Sequence, residues 1–187
     1  MTDCGRCLRN PPAFDLALAA VDYGHPWSAL IGRFKFGDAL DLASALTRLL
    51  LRAVATADPA QAPGLLLPVP LAAGRLRERG YNQSWEIARR LAAALGAPSD
   101  PRLLLRVRET TPQLALAPGE RAANVHRAFA VEPTRRAELR GRRVTLVDDV
   151  MTTGETVGEL ARVLHAAGAS TVQAWVIART PAPQRES

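Results

Sequence analysis

The sequence predicts an α/β fold, a mostly parallel sheet flanked by helices with an N-terminal helical extension, and three observations carry that expectation. Short apolar, β-branched runs at 65–69, 144–147 and 172–178 have the length and composition of strands buried on both faces. Segments with helix-like apolar spacing alternate with them, as a sheet with crossover helices requires. Gly and Pro mark the boundaries between the two kinds of segment.

Residues 28–36 and 40–54 carry helical spacing and form the N-terminal cover, ending before a turn at 59–64. Strand 65–69 comes next, with Pro68 and Pro70 marking its end. The next stretch, holding Arg75, Arg77 and Arg79, reads as an arginine-rich loop. Helix 83–95 is closed by Gly96-Ala97-Pro98, and 103–107 reads as another strand. Residues 109–127 are polar, with Pro and Gly, and read as a long mobile loop with a short helix from Pro118. Strand 144–147, helix 155–167 and strand 172–178 complete a βαβ unit. The chain therefore divides into a Cys-x-x-Cys segment at 1–12, an α/β domain at 13–180 and a disordered tail at 181–187.

With 187 residues, 48% of them hydrophobic, the chain can bury a substantial core. No run approaches the ~18 consecutive apolar residues of a membrane span, so no membrane insertion is expected. The polar start Met1-Thr2-Asp3-Cys4 lacks a secretory apolar stretch, which points to the cytoplasm. A net charge of +6 and a pI near 10.5 favour an anionic partner. That signal is discounted because 24 basic residues include only one lysine, Lys35, a bias that GC-rich coding alone produces.

The run from Arg143 to Thr156 is the most informative stretch. An apolar strand ends at two carboxylates, Asp148 and Asp149, placed to accept from adjacent sugar hydroxyls. Met151, Thr152, Thr153, Gly154, Glu155 and Thr156 then form a turn into a helix. Its backbone N–H groups can converge on a phosphate, Gly154 permits close approach, and the helix dipole favours the negative charge. Together these residues read as a ribose-phosphate site; strand-end helix capping and turn chemistry is the plainer alternative.

A second constellation lies just after Pro68-Val69-Pro70. In an open parallel sheet, ligands gather at the carboxyl ends of strands, so Arg75, Arg77 and Arg79 are expected to face the same crevice and hold a pyrophosphate. A solvated arginine face is the alternative. Tyr81 is a candidate base stacker, although packing is the commoner role for a lone aromatic beside a helix. His165 reads as a surface residue near a helix C-terminus, and His126 lies in the loop; neither has a carboxylate partner that would make it a general base.

The Asp-Asp-x-x-Thr-Thr-Gly-x-Thr pattern resembles the phosphoribosyl pyrophosphate (PRPP) signature of type I phosphoribosyltransferases. Arg79-Gly80-Tyr81-Asn82-Gln83, the pair Arg108 and Gln113, and Arg121, Asn124, Val125, Ala128 and Phe129 complete a resemblance to the ComF competence-protein family. That resemblance covers nearly the whole chain, including the run from Leu30 to Phe36. It implies a type I phosphoribosyltransferase-like fold, PRPP bound with Mg²⁺, and phosphoribosyl transfer with Arg108, Gln113, Arg121 and Asn124 in a flexible loop. It also implies a role in DNA uptake or nucleotide metabolism, with single-stranded DNA and other DNA-uptake proteins as partners. A non-catalytic single-stranded-DNA-binding protein, with Tyr81 or Trp85 stacking bases, and a PRPP-sensing adaptor are the rival readings.

The resemblance departs at the N-terminus. Members of the family usually carry two Cys-x-x-Cys knuckles for zinc, and here only Cys4 and Cys7 are present, with His25 the one other nearby donor. Cys4 and Cys7 are thus candidate Zn²⁺ ligands in an incomplete site, the alternative being a vestigial pair of thiols.

Overall fold

In the computed structural model, residues 11–36, 39–58, 62–108 and 127–181 are described. Four strands form one parallel sheet: β1 (Leu16–Asp22), β2 (Leu65–Pro68), β5 (Arg143–Met151) and β6 (Thr171–Arg179), in spatial order β1-β6-β5-β2. Two short strands, β3 (Leu104–Arg106) and β4 (Phe129–Val131), pair antiparallel beside it. The helices are α1 (Trp27–Phe36), α2 (Leu42–Ala55), α3 (Ala73–Arg79), α4 (Gln83–Leu95) and α5 (Glu155–Ala166), with a 3₁₀ helix over Pro133–Leu139.

Alternation along the strands splits the core into two layers. Leu65, Leu67, Val144, Leu146, Val172 and Ala174 pack with Leu160 and Leu164 of α5 and with Leu103, Phe129 and Val131. On the other face, Leu66, Val147, Trp175 and Ile177 pack with Ile31 and Phe34 of α1, Leu46 and Leu50 of α2, and Ile87 and Leu91 of α4. The sheet is thus covered on both sides, the condition under which parallel strands become near-continuous apolar runs.

Two of the buried polar residues, Gln173 and Thr145, pair with each other inside this core. Gln173 Nε2 donates to Thr145 Oγ1 at 2.8 Å and to the Ala62 carbonyl at 3.0 Å, and Thr145 Oγ1 also accepts from the Gly64 N–H. Gly64 runs so close to β5 that a Cβ there would lie 2.0 Å from the Arg143 carbonyl oxygen. The entry to β2 is therefore stitched to β5 and β6 before the strand begins.

Most expected elements are present within a residue or two. Three differences have physical causes. β1 is not announced by the sequence: its Ala-rich run has weak strand propensity, and pairing with β6 from Leu16↔Gln173 to Asp22↔Arg179 supplies the stabilisation. The N-terminal region is therefore a strand and then two helices rather than helical cover alone. The arginine-rich stretch is the helix α3 and not a loop, ended by Gly80 in the left-handed conformation. β5 does not stop at Val147 but continues through both carboxylates to Met151, still in register with β6. The expected loop at 109–127 and the tail lie almost wholly outside the described residues.

Candidate functional site

The carboxyl end of β2 lies beside β5 just before its two carboxylates, with Pro68 opposite Val147. Asn82 sets the path of the chain beyond β2. Its side-chain oxygen accepts from the N–H groups of Ser84 and Trp85, capping α4, while its Nδ2 donates to the Val69 carbonyl at 3.1 Å. This one residue ties the end of the strand to the start of the helix, and so aims the first turn of α4 at β5.

The aim lands on the acid pair. Ser84 Oγ donates to Asp148 Oδ1 at 2.9 Å, and the Asp149 N–H donates to the same oxygen. Lys35, near the end of α1, places Nζ 3.0 Å from Asp149 Oδ1, with the two side chains only 23% and 4% exposed. Asp149 Oδ2 is buried with no hydrogen-bond partner among the described residues. Burial first, and then the negative charge of Asp149, push the Asp148 carboxyl up to about 7, with Lys35, Ser84 and the Asp149 N–H opposing. At neutral pH the Asp148 carboxyl is therefore partly protonated.

Arg79 is the arginine of α3 that faces this pair. Its guanidinium donates to Gln83 Oε1 at 3.0 Å and lies 4.6 Å from the centre of the Phe36 ring, while its Nε is buried without a partner among the described residues. Burial lowers its pKa, Asp149 opposes that shift, and Arg75 adds to it. Arg75 is half-buried within electrostatic reach of Arg79, whereas Arg77 is exposed and nothing links it to the carboxylates.

Beyond β5 the chain turns through Thr152 and Thr153 to Gly154, whose φ of 82° is left-handed backbone suited to glycine. α5 starts there with no side-chain cap, so the N-terminal dipole of a twelve-residue helix opens beside the carboxylates. Thr152 is exposed; Thr153, Glu155 and Thr156 are half-buried; Met151 is buried in the strand, its carbonyl accepting from the Thr180 N–H.

The structure brings together Asp148, Asp149, Arg79 and the turn at 151–156, and leaves Arg77 outside. Arg108 is exposed at the end of β3, its carbonyl accepting from Arg106 Nε. Gln113, Arg121, Asn124 and His126 lie outside the described residues, as do Cys4 and Cys7. His25 is exposed, and among the described residues no three His, Cys, Asp or Glu side chains gather as metal ligands. Tyr81 packs rather than stacks a ligand: its hydroxyl donates to the Phe34 carbonyl and its ring is tilted 6.0 Å from that of Phe34. Trp85 is packed against the same core layer. His165 is half-buried rather than on the surface, with Nδ1 3.2 Å from the Ala169 carbonyl and Nε2 3.4 Å from Asp15.

Lys35, Ser84 and Gln83 have no role that sequence reasoning assigns. Ser84 and Gln83 come directly after a capping Asn and are legible as helix starters only. Lys35 carries a signal, since it is the sole lysine, but its place depends on how α1 packs over β5.

A family model described as "Phosphoribosyl transferase domain" matches residues 84–187. The DNA utilization protein YhgH of Salmonella typhimurium is 39% identical over 180 residues, covering 95% of this chain and 78% of that one. Competence protein F of Haemophilus influenzae is 36% identical over 179 residues, covering 94% and 78%. Adenine phosphoribosyltransferase of Mycobacteroides abscessus is 49% identical over a stretch of 45 residues, 24% of this chain. With its acid pair at the end of a parallel strand and a likeness to YhgH and competence protein F that spans nearly all of its residues, the chain belongs to the ComF competence-protein family and carries a phosphoribosyl transferase domain of the type I α/β fold.

Proposed function

We propose that the cleft binds PRPP or a related ribose 5-phosphate ligand, and that the protein is a phosphoribosyltransferase serving DNA uptake or nucleotide metabolism in the cytoplasm. The observation that carries this reading is the juxtaposition of two functions on one segment. β5 presents two carboxylates, and a few residues later the uncapped start of α5 presents backbone N–H groups at Gly154. In this reading the ribose hydroxyls donate to Asp148 and Asp149, and the 5′-phosphate sits on the turn of residues 151–156.

The residues fit a divalent cation carried in by the ligand. Two carboxylates and no third metal-ligating side chain among the described residues cannot cage an ion alone. When bound, Mg²⁺ would neutralise diphosphate charge. Arg79 adds fixed positive charge on the side of the leaving group, and the anionic acid pair favours the cationic character that develops at the anomeric carbon. Asp148 and Asp149 orient the sugar; Ser84 orients Asp148.

The second reading, single-stranded DNA binding without transfer, is favoured by the net charge of +6, by Arg75 and Arg77 on α3, and by relatives named for DNA utilization. Calorimetric titration of PRPP with Mg²⁺ into wild type and into Asp148→Asn with Asp149→Asn separates the two. Binding by the wild type alone supports the ribose site. No binding by either, together with salt-dependent binding of an oligonucleotide, supports the second.

A further inference from the structure

Lysine is used once in this protein, against 23 arginines, and that lysine is at the acid pair. The two side chains differ in what they can do there. Arginine offers a rigid planar fork, whereas the lysine ammonium is a compact charge on a flexible stem that can change partners.

Lys35 and Arg79 bring two positive charges into the field of Asp149. Donors are in excess there. An ammonium has three N–H groups, and the contacts of Lys35 among the described residues give it one partner, while Arg79 Nε is buried with none. A site with surplus donors is built for an anion beyond the carboxylate it already holds. The α5 N-terminus takes one phosphate at the far end of β5, so the surplus beside α1 and α3 addresses a second anionic group on the same ligand.

We propose that Lys35 is a ligand-binding residue that distinguishes a ribose ligand bearing a diphosphate from a simple ribose monophosphate. Its ammonium holds Asp149 in the ligand-free cleft and donates to the diphosphate, beside Arg79, once the sugar hydroxyls engage the carboxylates. This rests on the ribose-phosphate reading of the cleft and adds to it a residue from the N-terminal helices, to which the sequence alone assigns no role.

The test compares two ligands across three proteins. PRPP and ribose 5-phosphate, each with Mg²⁺, are titrated calorimetrically into wild type, Lys35→Met and Lys35→Arg at about pH 8, where the acid pair is ionised. The expected result is that Lys35→Met weakens PRPP roughly tenfold more than it weakens ribose 5-phosphate, the worth of one charge-assisted hydrogen bond. Lys35→Arg restores the charge but not the compact, flexible ammonium, and recovers only part of that difference. Equal weakening of both ligands overturns the proposal and leaves Lys35 as a structural partner of Asp149, as does no change in either. If wild type binds neither ligand, the ribose-phosphate reading itself falls and this inference with it. Should Lys35→Met not fold, judged by its circular dichroism melt, Lys35→Gln carries the same comparison.

Discussion

Lys35 and Asp149 meet at 3.0 Å across the junction of α1 and β5, beside an Asp148 carboxyl that burial first, and then the charge of Asp149, pushes up against the opposing charge of Lys35. Asp148 is held above the ordinary carboxylate value of 3.8, up to about 7, so the folded protein binds more protons than the unfolded chain between those values. Stability from this group is therefore full below the unfolded value and is lost as pH rises through about 7. Asp148→Asn removes that loss, so its melting temperature relative to wild type should rise from about pH 5 to about pH 8. Lys35→Met should shift the Asp148 titration upward, read by carboxyl NMR. A pH-independent difference in melting temperature would contradict the assignment.

Gly154→Ala tests the turn into α5. A Cβ there meets Phe14 Cε1 at 3.5 Å, an ordinary contact, so the cost comes from the backbone, with φ at 82°. We expect a stability loss of about 1 kcal/mol and a larger proportional loss of ribose 5-phosphate affinity. A variant that binds as wild type would remove the turn from the phosphate site.

Asn82→Ala removes the cap of α4 and the donor to Val69 together. Chemical denaturation should show a loss of about 1–2 kcal/mol. The first turn of α4 should also loosen, releasing Ser84 from Asp148. Hydrogen exchange at Ser84 and Trp85 that matched wild type would argue against this coupling.

Gly64→Ala places a Cβ 2.0 Å from the Arg143 carbonyl oxygen, with backbone rather than a movable side chain in the way. The entry to β2 must shift, at a cost of about 3 kcal/mol, seen as a large drop in melting temperature. Insertion with little change in stability would mean that the 62–64 approach adapts freely.

The β5-α5-β6 unit is readable because strands buried on both faces leave unbroken apolar runs, and because Gly154 and the carboxylates mark where the strand hands over to a helix. β1 is unreadable: Leu16 to Asp22 is rich in Ala, and its identity as a strand comes from β6, far away in sequence. α3 is hidden for a different reason. Leu76 is its lone large apolar residue and none of its residues is buried, so no apolar stripe announces a helix. At the site, Asp148, Asp149 and the turn residues are contiguous in sequence and legible there. Lys35 and Ser84 arrive on separate helices, and only tertiary packing reveals that they converge.

The pairing of β1 with β6 also has a consequence for how the chain is made. Leu16 faces Gln173, so β1, the earliest of the described strands, waits for β6 before it has a strand beside it. Closing so long a loop comes late, and during translation the apolar edge of β1 stands uncovered. Among the described strands, β6 is thus the one whose synthesis gives β1 its partner and joins the first strand to the rest of the sheet.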